Sequence, residues 1–155
     1  EQPLPYPDIA GHAFVRRNAG VPVILDESVY SPEAVMQLIR AEACDRVVLK
    51  LNRVGGLLPG LQTITICEAA GIGVSVDTNP YTVLGDTASC HMAAVARSAY
   101  PVDCEGHVSF LTIGEPNPFR GGITFDGAKA KLPDAPGLGV DVDWDALRVH
   151  QEAQR

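Results

Sequence analysis

The stretch "RVVLKLN" (residues 46–52) is a run of branched apolar residues that is interrupted by a single lysine, Lys50. Two further stretches, residues 21–25 and 72–76, are also rich in Val, Ile and Leu. Continuous apolar runs, unlike alternating ones, are typical of strands that are covered on both faces in a parallel α/β sheet. With a fourth candidate at residues 100–104, they predict a series of parallel strands, of which the one that contains Lys50 spans residues 46–51.

Helical stretches lie between these runs. Ser31 is a favourable N-cap, Pro32 suits the first helical position, and Glu33 lies near the positive end of the helix dipole. Further helices are predicted at residues 8–18, 60–70 and 84–99. Strands that alternate with helices of this length predict right-handed βαβ units, hence an α/β fold with a parallel sheet.

The sequence after residue 105 is rich in Gly and Pro, a composition that is typical of turns. We predict one hairpin there, formed by residues 122–125 and 129–132 and joined by the favoured turn pair Asp126-Gly127. A final helix is predicted to begin near Asp143.

Polar residues stand at the ends of the predicted strands, 24 to 27 residues apart. They are Glu1, Asp26, Lys50, Asp77 and Asp103. This interval suits one strand–loop–helix–loop unit. Because the carboxyl ends of parallel strands open onto one mouth, we expect these residues to converge there.

Two carboxylates at neighbouring strand ends, Glu1 and Asp26, would repel each other unless a cation lay between them. Mg²⁺ binds carboxylate oxygens and keeps open positions for a substrate, so the pair predicts a magnesium site. The alternative is structural: Asp26 caps a turn and Glu1 is a solvated terminus.

Lys50 is unusual because lysines are rarely buried unless they are paired. Burial favours the neutral amine of a lysine, which is the form that acts as a base. The alternative is that the stem of Lys50 lies along the strand and its ammonium group reaches solvent.

Asp103 and Glu105 lie two residues apart on an extended segment and therefore share a face. They predict a site for a cation: a second metal, an arginine or a substrate ammonium group. The alternative is a solvated loop edge. Asp77 and Asn79 are candidates for shaping the turn before Pro80.

The composition excludes several classes of partner. A net charge of −7 and the absence of a basic stripe argue against nucleic acid. No apolar run approaches the roughly 18 residues of a membrane span, so we expect no membrane partner. The 4 cysteines and 4 histidines form no metal-ligand pattern, and we interpret the cysteines as buried thiols in a reducing cytoplasm.

Several segments resemble a known pattern. "EQPLP", "PVILDES", "VVLKLNRVGG" and "GITFDGAKAKLPDAPGLGV" are similar to the C-terminal half of the enolase superfamily barrel, in its muconate-lactonizing and mandelate racemase-like branch. The resemblance implies that residues 1–105 are βα units equivalent to strands four to eight of a TIM-like barrel. Residues 106–155 would form the C-terminal tail. The N-terminal capping domain and the first barrel strands of that family are expected to lie outside this chain, in an N-terminal half of the same protein.

The resemblance also implies roles for single residues. Glu1 and Asp26 match two Mg²⁺ ligands of the family, and Lys50 matches its acid/base lysine. Family members hold a substrate carboxylate on Mg²⁺ and remove the proton on the adjacent carbon through an enediolate. Asp103 and Glu105 resemble the acidic pair with which dipeptide epimerases bind a substrate ammonium group.

Asp77 and Tyr81 are further expected substrate-binding residues. Asp77 ends the seventh strand of the family pattern, where mandelate racemases carry a histidine, and Tyr81 stands near the register of a glutamate common in cycloisomerases. The resemblance therefore favours the lysine-based branch.

The implied activity is that of a racemase, an epimerase or a dehydratase acting on an amino acid, a dipeptide or a hydroxyproline-type compound. The expected partners are a small-molecule carboxylate that carries an amine and, as is common in the family, further copies of the same chain. A muconate-type cycloisomerase and a non-catalytic barrel module remain alternatives.

Overall fold

The computed structural model describes residues 1–78, 82–97 and 118–153. Distances between Cα atoms divide them into two units. Residues 1–77 and 92–97 form the first unit, and residues 78, 82–91 and 118–153 form the second. The predicted strand at residues 100–104 lies outside the described residues.

The first unit is built around a sheet of three parallel strands in the order β1-β2-β3. Its elements along the chain are α1 (Ile9–Asn18), β1 (Ile24–Leu25), α2 (Pro32–Arg40), β2 (Arg46–Leu49), α3 (Leu51–Val54), α4 (Leu57–Ala69) and β3 (Gly73–Val76). Helix α5 (Val83–Val95) follows and has residues in both units. The alternation of strands and helices confirms the predicted α/β fold with parallel strands.

Strand β2 is the centre of this sheet. Its residues Val47, Val48 and Leu49 are all buried, as expected of a strand with covered faces. Val47 pairs with Leu25 in β1 and with Val74 in β3. The run of consecutive apolar residues thus fills the core on both sides of the sheet.

The chain leaves β2 two residues earlier than the apolar run predicts. Lys50 has an extended backbone and is the N-cap of α3, the single helical turn that contains residues 51–54. Gly55 and Gly56 follow with φ angles of 99° and 108°, which only glycine adopts readily. They end α3 and allow α4 to begin at Leu57, three residues before its predicted start.

The starts of α1 and α2 agree with their capping signals. The Ser31 hydroxyl accepts the Ala34 N–H at 3.1 Å, with Pro32 at the first helical position. The Asp8 carboxylate accepts the Gly11 N–H at 2.8 Å, so α1 begins after Asp8 rather than at it. Both caps satisfy amide groups that lack a partner within the helix.

The second unit contains two antiparallel strand pairs and a helix. Its elements are β4 (Phe119–Gly121), β5 (Thr124–Asp126), β6 (Lys129–Lys131), β7 (Val140–Val142) and α6 (Trp144–Ala153). The predicted hairpin is β5-β6, but Asp126 pairs with Lys129, so the turn residues are Gly127 and Ala128. The pair β4-β7 was not predicted, because neither three-residue strand has a distinctive pattern.

The start of α6 and the end of α5 were also predicted from the sequence. The Asp143 carboxylate accepts the Ala146 N–H at 3.0 Å and begins α6, as predicted. Helix α5 ends at Val95, before the predicted end at residue 99.

Within the described ranges, no helix is both long enough and apolar enough to cross a membrane.

Candidate functional site at the strand ends

The first residues after the three parallel strands lie at one edge of the sheet. Asp26 follows β1, Lys50 follows β2 and Asp77 follows β3. Leu49 pairs with Val76, and the Asp77 N–H donates to the Leu49 carbonyl at 3.0 Å, so the parallel ladder continues to this edge. Three of the five polar residues that the spacing predicts to converge, Asp26, Lys50 and Asp77, therefore end adjacent strands at this edge.

Asp26, Lys50 and Arg53 form a compact ion cluster at this edge. Lys50 Nζ donates to Asp26 Oδ2 at 3.2 Å. Arg53 donates to both carboxylate oxygens, through Nη1 to Oδ1 and through Nη2 to Oδ2. The Asp26, Lys50 and Arg53 side chains are 5%, 12% and 21% exposed, respectively. Lys50 is thus paired and largely buried rather than free in solvent, and its role as a base stays a prediction.

The ion cluster carries two positive charges and one negative charge. Taking charged groups out of water costs several kcal/mol for each ion, and only close opposite charges offset that cost. Asp26 is the one anion of the cluster, so both cations depend on it. The charge balance is therefore sensitive to any change at Asp26.

Arg53 was not among the predicted site residues. Helix α3 explains the contact, because it turns the chain back and places Arg53 three residues beyond Lys50 on the same side. The signal available in the sequence was the glycine pair directly after "LNRV", which requires a turn at that point.

The start of the chain lies against the edge of β1. The Gln2 N–H donates to the Ile24 carbonyl at 2.8 Å, as in a parallel strand pair. Gln2 Oε1 accepts the Asp26 N–H at 2.9 Å and the Ser28 N–H at 3.3 Å. Glu1 is exposed and precedes this anchored residue directly. The predicted ligands Glu1 and Asp26 thus belong to adjacent segments.

The remaining predicted site residues have different outcomes. Asp77 is half-buried, and its Oδ1 accepts the Ser75 hydroxyl at 2.7 Å. This contact within the strand end agrees with a structural role and leaves a substrate role untested. Tyr81, Asp103 and Glu105 lie outside the described residues.

Asp45, at the opposite end of β2, illustrates a structural carboxylate. It accepts the Val23 N–H at 2.8 Å and the Arg16 Nε–H at 2.9 Å. Burial raises the pKa of Asp45, but the hydrogen bonds from Val23 and Arg16 outweigh burial, and the net effect is a lowered pKa. This ion pair joins α1 to the sheet away from the candidate site.

Two of the described cysteines, Cys44 and Cys67, are unsuited to thiolate chemistry. Burial raises the pKa of Cys44 to about 11 and that of Cys67 to about 12. Because the thiolate is the form that attacks and binds metals, these thiols are inert at neutral pH. This agrees with their interpretation as buried structural residues.

The described part of the chain contains no group of three or more His, Cys, Asp and Glu residues that could hold a metal ion. Two predicted ligands, Glu1 and Asp26, are described, and they supply carboxylate oxygens, which suit a hard cation.

Comparison with known proteins finds matches over most of the chain. Residues 1–146 match the protein family described as enolase C-terminal domain-like. The chain is 31% identical over 140 residues to the L-Ala-D/L-Glu epimerase of Bacillus subtilis, covering 90% of this chain and 37% of that protein. It is 32% identical over 152 residues to muconate cycloisomerase 1 of Rhodococcus opacus, covering 96% of this chain and 39% of that protein.

A solved structure with a similar fold is the dipeptide epimerase from Cytophaga hutchinsonii, complexed with Mg and the dipeptide D-Ala-L-Val. It superposes with a TM-score of 0.82 at 28% identity, covering 95% of this chain and 39% of that one. The chain thus spans about two-fifths of the length of the relatives that it matches.

Proposed function

Because the chain belongs to the enolase C-terminal domain-like family, we propose that the protein it forms is a racemase or epimerase for an amino-acid-like carboxylate. In this proposal, Lys50 removes or returns the proton on the carbon next to the carboxylate. The observation that carries the proposal is the ion cluster, in which Lys50 Nζ lies 3.2 Å from the buried Asp26 carboxylate at the edge of a parallel sheet. That edge is where α/β barrels place their chemistry.

Lys50 has neighbours that suit a residue that exchanges protons. Asp26 attracts the ammonium form of Lys50, whereas the guanidinium of Arg53 repels it. The low exposure of Lys50 also keeps bulk water from competing for its proton.

Glu1 and Asp26 are the proposed ligands of Mg²⁺ in this chain. Their carboxylates are hard oxygen donors. The Asp26 side chain is 5% exposed, and both of its oxygens attract cationic groups. When bound, Mg²⁺ would stabilise the negative charge that develops on the substrate carboxylate. A further protein ligand is proposed to come from a part of the protein other than the described residues 1–78, 82–97 and 118–153.

The proposed substrate carries an amine or amide nitrogen in addition to its carboxylate. Two relatives support this choice, since one is named as an L-Ala-D/L-Glu epimerase and the other was solved with a dipeptide. Asp103 and Glu105 are the proposed residues for binding the nitrogen. Asp77 and Tyr81 are proposed to line the same side of the site.

Residues 1–105 are proposed to supply strands four to eight of a barrel, and residues 106–155 its C-terminal tail. The remaining strands and a capping domain would come from additional protein. The share of each relative that the chain spans, 37% to 39%, supports this division.

A muconate-type cycloisomerase is the second candidate. Its support is the 32% identity to the Rhodococcus opacus enzyme over 152 residues. Such an enzyme also acts at a carbon next to a carboxylate, so Lys50 and the two carboxylates would keep their places and only the substrate would differ.

The test is an exchange experiment with the full protein in D₂O and Mg²⁺. NMR follows the loss of the α-proton signal from dipeptides and N-acyl amino acids, and absorbance follows cis,cis-muconate. We expect exchange with the wild type, a loss of about 10²- to 10⁴-fold in Lys50→Ala, and no loss in Lys131→Ala, which removes an exposed lysine. Muconate turnover without exchange would favour the cycloisomerase, and inactivity on every compound would favour a non-catalytic module.

A further inference from the structure

At the edge of β1, the side-chain oxygen of Gln2 takes the place of a backbone carbonyl as a hydrogen-bond acceptor. In a parallel pair, the bond from the Gln2 N–H to the Ile24 carbonyl is followed by a bond from the Asp26 N–H to the Gln2 carbonyl. The first bond is present at 2.8 Å. In the second, the acceptor is instead the side-chain oxygen Oε1 of Gln2, at 2.9 Å from the Asp26 nitrogen. The side chain therefore continues the ladder by one step after the backbone has turned away.

The backbone of Gln2 shows the same departure from a strand. Its φ angle is 35°, in the left-handed region that residues other than glycine rarely adopt. Such a conformation costs of the order of 1–3 kcal/mol and persists where surrounding contacts impose it. The contacts that can impose this conformation on Gln2 are the hydrogen bonds of its own side chain.

The amide of Gln2 is fixed in one orientation. Oε1 accepts two backbone N–H groups, from Asp26 and Ser28, so Nε2 must be the donor. Nε2 lies 2.9 Å from the Leu4 carbonyl, 2.9 Å from Ser28 Oγ and 3.2 Å from His12 Nε2. The side chain thus joins the first residues of the chain, the loop after β1 and helix α1.

His12 provides a buried end to this network. It is fully buried, and its Nε2 lies 3.2 Å from Gln2 Nε2 and 3.5 Å from Ser28 Oγ. Among the described residues, Nδ1 has no hydrogen-bond partner.

We propose that Gln2 is a positioning residue that fixes the segment of Glu1 against the loop of Asp26, so that the two carboxylates are held in one place for a divalent cation. This inference rests on the proposed function, because it concerns the two carboxylates assigned there as metal ligands. Gln2 binds no metal in this proposal. It acts through the backbone of its two neighbours, Glu1 in sequence and Asp26 in space.

The experiment measures the affinity of the full protein for Mn²⁺, a probe with the same preference for oxygen ligands, by electron paramagnetic resonance of the free ion. Gln2→Met keeps the length of the side chain and removes its hydrogen bonds. We expect it to weaken Mn²⁺ binding about 10- to 100-fold, the usual effect of losing a residue that orients metal ligands. If Gln2→Met does not yield folded protein, Gln2→Asn, whose amide is one methylene short, is measured by the same criterion.

Two controls separate positioning from a general loss of stability. Gln37→Ala removes an exposed glutamine from α2, and Val35→Ala opens a cavity in the core beneath the same helix. Both are expected to bind Mn²⁺ like the wild type, although Val35→Ala lowers the melting temperature.

Two results would overturn the inference while leaving the proposed function intact. One is unchanged Mn²⁺ affinity in the Gln2 variant, and the other is an equal loss of affinity in Val35→Ala. A wild type that binds no Mn²⁺ would overturn the metal assignment and the inference together. Lys50→Ala distinguishes the cases, because it is expected to lose proton exchange while still binding Mn²⁺.

Discussion

Replacing Asp26 with Asn tests the charge balance of the ion cluster. The substitution keeps the size of the side chain and removes its charge, so that Lys50 and Arg53 face each other without an anion between them. All three side chains are less than a quarter exposed, and water therefore screens them weakly. In metal-free protein we expect a large loss of stability, with a size that follows from the distances.

At 3.2 Å and an effective dielectric constant of about 20, the attraction between Lys50 and Asp26 is roughly 5 kcal/mol before desolvation is counted. Desolvation offsets much of this in the intact cluster, but it is not recovered when one partner is removed. Asp26→Asn should therefore lower the free energy of unfolding by about 3–5 kcal/mol. Arg53→Leu leaves a balanced pair and should cost less, about 1–2 kcal/mol.

Urea unfolding of the full protein in the presence of a chelator, followed by circular dichroism at pH 7, measures both losses. The order of the two variants matters more than either value, because it depends only on which charge is left without a partner. The reasoning would be refuted if Asp26→Asn cost under about 1 kcal/mol, the range of exposed ion pairs, or if Arg53→Leu cost more than Asp26→Asn.

Three further predictions concern residues away from the ion cluster. The pKa of Asp45 is lowered in the folded protein, so its bond to Arg16 contributes stability above pH ~4 that is lost as the pH falls further. Asp45→Asn should therefore make the free energy of unfolding, measured by urea titration, fall less steeply on the acid side. Cys67, with a pKa of about 12, should resist iodoacetamide at pH 8 until the protein is unfolded, as read by mass spectrometry. Gly122→Ala should cost about 3 kcal/mol in thermal unfolding, since φ is 84° and a Cβ would lie 2.6 Å from its nearest neighbour. Gly127→Ala, with φ of 57° and open space around it, should cost about 1 kcal/mol.

Each of these predictions has a result that would contradict it. For Asp45, it is an acid-side slope equal to that of the wild type. For Cys67, it is labelling of the folded protein at the rate of an exposed thiol. For the two glycines, it is an equal loss of stability at both positions.

The parallel sheet was predictable because burial on both faces leaves a direct trace in sequence. Val47, Val48 and Leu49 are apolar since each contacts the core, whichever face it lies on. The end of β2 was less predictable. The apolar run continues to Leu51, but a turn of helix also buries Leu51, so hydrophobicity cannot distinguish the two conformations there. The conformation is decided by Gly55 and Gly56, whose φ angles are visible only in three dimensions.

The closeness of Asp26 and Lys50 followed from the similar spacing of strand ends, and it is the part of the site that sequence reasoning anticipated; their ion pair was not predicted. Arg53 was overlooked because its contact depends on the helical turn after Lys50. Gln2 was overlooked because a side chain that substitutes for a backbone carbonyl has no pattern in sequence. Both contacts arise from a local departure from strand geometry, which periodicity does not record.

The central claim, that Lys50 exchanges the α-proton of a carboxylate substrate, is tested most directly by chemical rescue. Lys50→Cys is treated with 2-bromoethylamine, which rebuilds a lysine-like amine on the introduced thiol. The buried native thiols Cys44 and Cys67 are protected by their raised pKa values, and alkylated wild type is the control. We predict that deuterium exchange into the substrate with Mg²⁺ falls by about 10²- to 10⁴-fold in Lys50→Cys and returns after alkylation. Exchange that persists in Lys50→Cys before alkylation would contradict the claim.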